Sequence, residues 1–289
     1  MKDRLKRAIK TALDRRGYAI HRKTAAPESR TAAPESSTAA PELSTAAPEL
    51  SYTPVEVFPL AVADLISRKK DVFFIQIGAH DGLTYDPLRL FVERYHWRGI
   101  LVEPQPKIFA RLVENYKGID SLIFENVAVA SQEGTMTLYT FAENSNLPAH
   151  ATMLASFKKE ALLYNGHGYK GEIVETRVPT VPVEALLKKH NVTEVDILQI
   201  DTEGFDYEVI KMFDLSKLKP FIISYESILL SAADRRSCEE LLSSHGYRLA
   251  VGDIDTIAVL QRDYRESLLP GLHEAMAVPA VKLANDQSG

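Results

Sequence analysis

The stretch FFIQIGAHDG, Phe73 to Gly82, decides the fold. An apolar run from Val72 breaks at Gly78 after Ile77, and small residues follow at Ala79 and Gly82. Such a run is expected to be a buried strand that turns sharply and passes into a helix. Small residues let the backbone approach a ligand, and a helix start offers free N–H groups. Gly78, Ala79, His80, Asp81 and Gly82 are therefore candidates for holding a nucleotide-like cofactor. The spacing is not the G-x-G-x-x-G of a dinucleotide site, and an ordinary tight turn is the alternative.

Working outward, the next apolar run is GILVEP, which places Glu103 about twenty residues beyond the glycine turn. In a doubly wound sheet, an acid at that strand end can accept both ribose hydroxyl protons. A solvated strand-end charge before Pro104 is the alternative. A third run, FENVAVAS, sets Asn126, Val127 and Ala128 at a strand end where an adenine edge could be met. Asn126 also suits a plain turn.

The fourth run, VDILQIDTEGFD, ends in Asp201 and Glu203, and the fifth, FIISYES, in Glu226. Carboxylates on such a crest can orient an amine, accept a hydroxyl proton or ligate a divalent cation. Asp201 or Thr202 could instead cap the following helix. No His and acid spacing is specific enough to predict a metal.

Short β-rich runs alternating with amphipathic stretches predict an α/β fold, a mostly parallel sheet with helices on both faces. Strands are expected at 72–77, 99–102, 122–127, 195–200, 221–225, 248–251 and 256–260, with an extra strand at 135–139. Helices are expected at 86–95, 106–116, 182–190, 206–213 and 232–245. The irregular segment Asn144 to Gly171, with His150, Tyr164, His167 and Tyr169, is the expected seat of acceptor specificity, although packing roles suit those side chains better.

The 289 residues are 45% hydrophobic and 25% charged, with a formal net charge of −5. That composition is globular, and it offers no chain-wide basic field for nucleic acid. Cys238 is the sole cysteine, which excludes an intramolecular disulfide and fits a reducing, cytoplasmic setting. No apolar run approaches the ~20 residues of a membrane span, and no secretory signal is legible at the N-terminus.

Residues 1–23 place Leu5, Ile9, Ala12 and Leu13 at helical spacing among lysines and arginines. A solvated basic helix is the plainer reading, and peripheral attachment to anionic headgroups or to a partner is the other. From Thr24 to Ser51 the sequence runs TAAPESR, TAAPESS, TAAPELS, TAAPELS. The recurring proline forbids a coiled-coil seam, so 24–51 is expected to be a disordered linker. A catalytic domain at 52–268 and a fraying tail at 269–289 complete the expected organisation.

Taken together, GAHDG, VEP, NVAVA, IDTEGFD and SYE resemble the FkbM-type methyltransferase family over roughly Val72 to Leu260. The resemblance implies the Rossmann-like class I methyltransferase fold with a seven-stranded sheet, and S-adenosylmethionine as cofactor. By position, Gly78 to Gly82 would hold the methionine part, Glu103 the ribose, and Asn126 with Val127 the adenine. Asp201 would lie beside the methionyl group and the acceptor, while 246–249 and 253–258 look like the closing antiparallel strands. It further implies O-methylation of a small-molecule or glycan hydroxyl, a saccharide, glycoconjugate or related natural product, with Asp201 or Glu203 as base and Glu226 shaping the acceptor site. The sequence departs at His80, where resembling members usually carry Asn; a neutral replacement is the favoured reading of that imidazole. A nicotinamide-dependent oxidoreductase and a non-catalytic adenosyl-ligand module are the alternatives.

Overall fold

The computed structural model describes residues 54–142, 147, 154–164 and 171–261. The basic segment 1–23, the linker 24–51, the tail from 269, and His150, His167 and Tyr169 of the insert lie outside the described residues.

Each apolar run read from the sequence forms a strand. β1 is Phe73–Ile77, β2 Arg98–Val102 and β3 Leu122–Glu125. β8 is Ile197–Ile200, β9 Ile222–Glu226, β10 Tyr247–Val251 and β11 Asp255–Leu260. They pair in the order β10-β11-β9-β8-β1-β2-β3. β3, β2, β1, β8 and β9 run parallel, and β11 lies antiparallel between β9 and β10. A seven-stranded, mostly parallel sheet closed by an antiparallel pair is the arrangement that the resemblance implies. The inner strands are predominantly apolar because a parallel sheet is covered on both faces; Phe74, Ile75, Ile100, Leu198 and Ile223 are fully buried.

The chain leaves β1 toward β2 on one side and returns to pair β8 on the other. Strand order therefore reverses between β1 and β8, and an open α/β sheet binds its ligand in the crevice at that switch point. Helices connect the parallel strands, and crossovers of this kind are right-handed as a rule. The helices are α2 (Arg89–Tyr95), α3 (Pro106–Asn115), α5 (Val183–Lys189), α6 (Asp206–Met212) and α7 (Ala232–Ser244).

Four features depart from the sequence reading. A helix α1, Pro54–Arg68, precedes β1 and packs on β9, β10 and β11. Its buried Val57, Phe58, Ala61, Val62 and Leu65 recur at helical spacing. α2 begins at Arg89 rather than Asp86: Pro87 disfavours helical backbone at Asp86, and the Asp86 carboxylate instead accepts the N–H groups of Leu88 and Arg89.

The third strand ends at Glu125 rather than Val127. Beyond it the chain switches into a separate four-stranded sheet, ordered β4-β7-β5-β6. Its strands are β4 (Ala128–Val129), β5 (Gly134–Phe141), β6 (Ala155–Ser156) and β7 (Ile173–Val181), with α4 (Lys159–Tyr164) after β6. The extra strand expected at 135–139 is thus the longer β5, and its partner β7 was not anticipated. Leu138, Val178 and Ala128 form a small core of their own there, with Ala155 and Phe157 against it.

Candidate functional site

A cleft of about 310 Å³ opens over the C-terminal ends of β1, β2, β3 and β8, at the switch point. Its floor is set by a close backbone crossing. Gly78 and Ala79 both donate to the Val102 carbonyl at 3.0 Å, and Asp201 N donates to Ile77 O at 2.9 Å. Gly78 has φ +82, and a Cβ there would stand 1.7 Å from the Asp201 carbonyl oxygen. Only glycine permits the turn to lie against the end of β8. Gly82, with φ +64, packs against Leu112 and Tyr116 with no room for a Cβ.

The turn between them is stapled by its own side chains. Asp81 Oδ1 accepts the N–H groups of Leu83 and Thr84, and Oδ2 accepts the Thr84 hydroxyl. Asn115 donates to the Asp81 carbonyl and Arg89 to the Gly82 carbonyl. Burial opposes ionisation of Asp81, but these donors bring its carboxyl below the usual range. Asp86 is held in turn by Gln76 and by the Tyr116 hydroxyl.

Glu103 is buried at the end of β2. Oε2 accepts His80 N at 3.0 Å and Oε1 accepts Gln105 N at 2.9 Å. A carboxylate has about four lone-pair directions, so each oxygen keeps capacity for a ligand hydroxyl. Burial, only partly offset by those two backbone donors, lifts its carboxyl to about 7. His80 has φ +47, and its ring nitrogens are buried without a hydrogen-bond partner. Nδ1 lies 3.3 Å from Asp81 Oδ1 without hydrogen-bond alignment. Burial lowers its basicity, so the imidazole is neutral at physiological pH.

On the other side of the switch point the acids crowd together. Asp201 opens to the cleft while protein surrounds it elsewhere; that crowding, then the Glu203 charge, raises its carboxyl well above the ordinary range. Asp206 is fully buried and ties the turn together, accepting the Thr202 hydroxyl, Gly204 N and Glu226 N; burial lifts it to about 6. Glu226 is pushed up to about 11 by burial and by Glu203, Asp201, Asp206 and Asp255, so it is a neutral acid. From the small sheet, Ser156 donates to the Glu203 carbonyl and Lys158 to the Gly204 carbonyl. Thus the insert clamps the IDTEG turn.

Of the residues singled out in the sequence, Gly78, Ala79, His80, Glu103, Val127, Asp201 and Glu203 line this one cleft. Asp81 and Gly82 instead shape the turn. Asn126 donates its amide to the Glu103 carbonyl and so supports the β2 end from outside the lining. Glu226 also lies outside it, and reaches Asp201 and Glu203 through their charge.

Two lining residues were overlooked. Gln76 on β1 and Gln199 on β8 are register neighbours, 3% and 7% exposed, and their amide oxygens have no partner within the protein. The signal was present: each is the lone polar residue inside an apolar run, FFIQI and ILQI. Leu138, Ala155 and Phe157 of the small sheet form the opposite wall. Among the described residues, no three His, Cys, Asp or Glu approach closely enough to hold a metal ion, and no helix is long and apolar enough to cross a membrane.

No curated relative matches the chain. Among solved structures, a methyltransferase FkbM from Methylobacillus flagellatus KT is similar at 12% identity and a TM-score of 0.43, over 65% of this chain and 44% of that one. The chain therefore spans less than half the length of that protein. A precorrin-6y C5,15-methyltransferase from Geobacter metallireducens GS-15 is similar at 12% identity and TM-score 0.37, over 72% and 91%. A ribosomal protein L11 methylase from Lactobacillus delbrueckii subsp. bulgaricus is similar at 11% and 0.36, over 70% and 77%. The profile of the methyltransferase FkbM domain matches residues 76–249, which span the glycine turn, Glu103, the IDTEG turn and Glu226, and the chain belongs to that family.

Proposed function

We propose that this chain is an S-adenosylmethionine-dependent O-methyltransferase acting on a hydroxyl of a saccharide, glycoconjugate or related natural product. The observation that carries the reading is the pairing of the Gly78 turn with the buried Glu103 carboxyl on one cleft at the switch point. The residues present fit an adenosyl cofactor: Glu103 keeps acceptor capacity for ribose hydroxyls, Val127 lies where a base would pack, and the unpartnered amide oxygens of Gln76 and Gln199 await donors. S-adenosylmethionine supplies an activated methyl group for in-line displacement.

The chain's own residues then have two tasks. They align the acceptor, because proximity is most of what such a displacement needs. They also remove the hydroxyl proton, which a carboxylate within reach of the acceptor can take. Asp201 and Glu203 line the cleft and are placed to accept that proton. Glu226, held neutral, donates a hydrogen bond rather than accepting a proton, and so shapes the acceptor side. The small sheet excludes water from the wall opposite.

Calorimetric titration of the full chain with S-adenosylmethionine, S-adenosylhomocysteine and NAD tests this, repeated with Glu103→Ala. Tight binding of both adenosyl ligands, weakened at least tenfold by the substitution, is the expected outcome. Binding of NAD alone, or of none of the three, would overturn it.

A further inference from the structure

Among the described residues, five other than glycine have left-handed backbone: His80, Tyr85, His96, Asn191 and Glu203. His96 and Asn191 sit at or just beyond helix ends, where that conformation is common. The other three line the cleft. His80 and Glu203 belong to the machinery already described. Tyr85 does not, and it is the unusual one: a bulky residue with φ +57, a strained conformation for such a side chain, and 73% exposed. Leu83, on the same turn, is 50% exposed.

This ring is displayed on a rigid mount. Asp81 fixes the backbone before it, through Leu83 N and Thr84 N. Asp86 fixes the backbone after it, through Leu88 N and Arg89 N. An exposed aromatic fixed at the rim of a binding cleft leaves its apolar face in water unless a ligand covers it.

We propose that Tyr85 is the acceptor-facing platform of the site, against which the non-polar face of a neutral sugar ring packs. The proposal rests on the methyltransferase reading above. Two observations choose the occupant. The cleft, at about 310 Å³, is at the lower end of the ~300–1,000 Å³ of single small-molecule sites; one nucleoside-sized ligand fills it, and a second must stand at the rim. Among the described residues, the lining carries carboxyl groups at Asp201 and Glu203 and no Lys or Arg, which suits hydroxyl partners and offers no cation to an anionic acceptor. An uncharged pyranose offers C–H groups to the aromatic face and hydroxyls to the carboxylates.

Saturation-transfer NMR of the full chain with saturating S-adenosylhomocysteine tests the assignment. The probes are the methyl glycosides of glucose, mannose and rhamnose, with methyl glucuronide as the charged control. At least one neutral glycoside should give a signal in the native chain that exceeds that of the glucuronide. The signal should fall at least fivefold in Tyr85→Ala and stay within twofold in Tyr85→Phe, with affinity for S-adenosylhomocysteine unchanged in both. An undiminished glycoside signal in Tyr85→Ala, or no signal from any neutral glycoside, would overturn the platform. Loss of S-adenosylhomocysteine affinity in Tyr85→Ala would give the ring to the cofactor instead and also overturn it. Failure of the native chain to bind S-adenosylhomocysteine would bring down the methyltransferase reading first, and the platform with it.

Discussion

The two halves of the cleft floor solve opposite problems. On the β1–β2 side a single buried acid, Glu103, is met by two backbone donors, and every turn around it is pinned by neighbouring side chains. On the β8–β9 side burial, then the charges of Glu203, Asp206 and Asp255, raise the carboxyls of Asp201 and Glu226 on one crest. The first half meets its one buried acid with backbone donors and pinned turns, as a cofactor seat requires. The second is electrostatically frustrated, and frustration of this kind is what tunes acids for proton transfer. Coupled carboxylates titrate as a group, so the proton acceptor on that crest is a property of the cluster.

The contrast can be broken most forcefully at the seam between the halves. Gly78→Ala forces a Cβ into the Asp201 carbonyl, and a loss of about 3 kcal/mol or more is expected from chemical denaturation. A loss under about 1 kcal/mol would show that the seam is soft.

The crowded half should reveal itself through pH. Asp206 and Asp255 titrate near 6, and Glu226 near 11, against about 4 when unfolded. The folded chain therefore holds more protons than the unfolded one. The stability these groups contribute is full below about pH 4 and falls as pH rises through the folded values. Glu226→Gln should raise stability at pH 8 by about 1 kcal/mol or more, and much less at pH 5. Equal effects at the two pH values would remove the charge coupling from the account.

The β1–β2 half should instead show pH dependence in binding. If Glu103 accepts ribose hydroxyls as a carboxylate that titrates near 7, affinity for S-adenosylhomocysteine should rise up to about tenfold between pH 6 and 8. Glu103→Gln should flatten the rise, and a flat profile in the native chain would count against the assignment. The smallest expected effect is at Asn126, whose amide steadies the Glu103 carbonyl. Asn126→Ala should cost about 1 kcal/mol, with affinity for S-adenosylhomocysteine little changed; a large loss of that affinity would mean the side chain meets the ligand directly.

The seven strands of the main sheet were legible because each is a mainly apolar run, and the inner ones, buried on both faces, announce themselves without tertiary help. The glycine turn and Glu103 were legible because their spacing follows from the chain path alone. β7 was not, because IVETRVPTV mixes charges and a proline into a strand whose burial alternates only in part, and its pairing with β5 reaches across an insert. The helix α1 carried a readable apolar stripe, and its Pro59 masked it.

What the sequence by itself determined is the sheet, its switch point and the identity of the acids, since these depend on local pattern and order along the chain. What only the tertiary structure decided is which polar groups face the cleft and in what protonation state. Gln76 and Gln199 become a pair only when β1 and β8 are set in register, and Glu226 becomes a neutral acid only when four other carboxylates are brought beside it. Burial and the distance between charges are properties of packing, and no spacing along the chain encodes them.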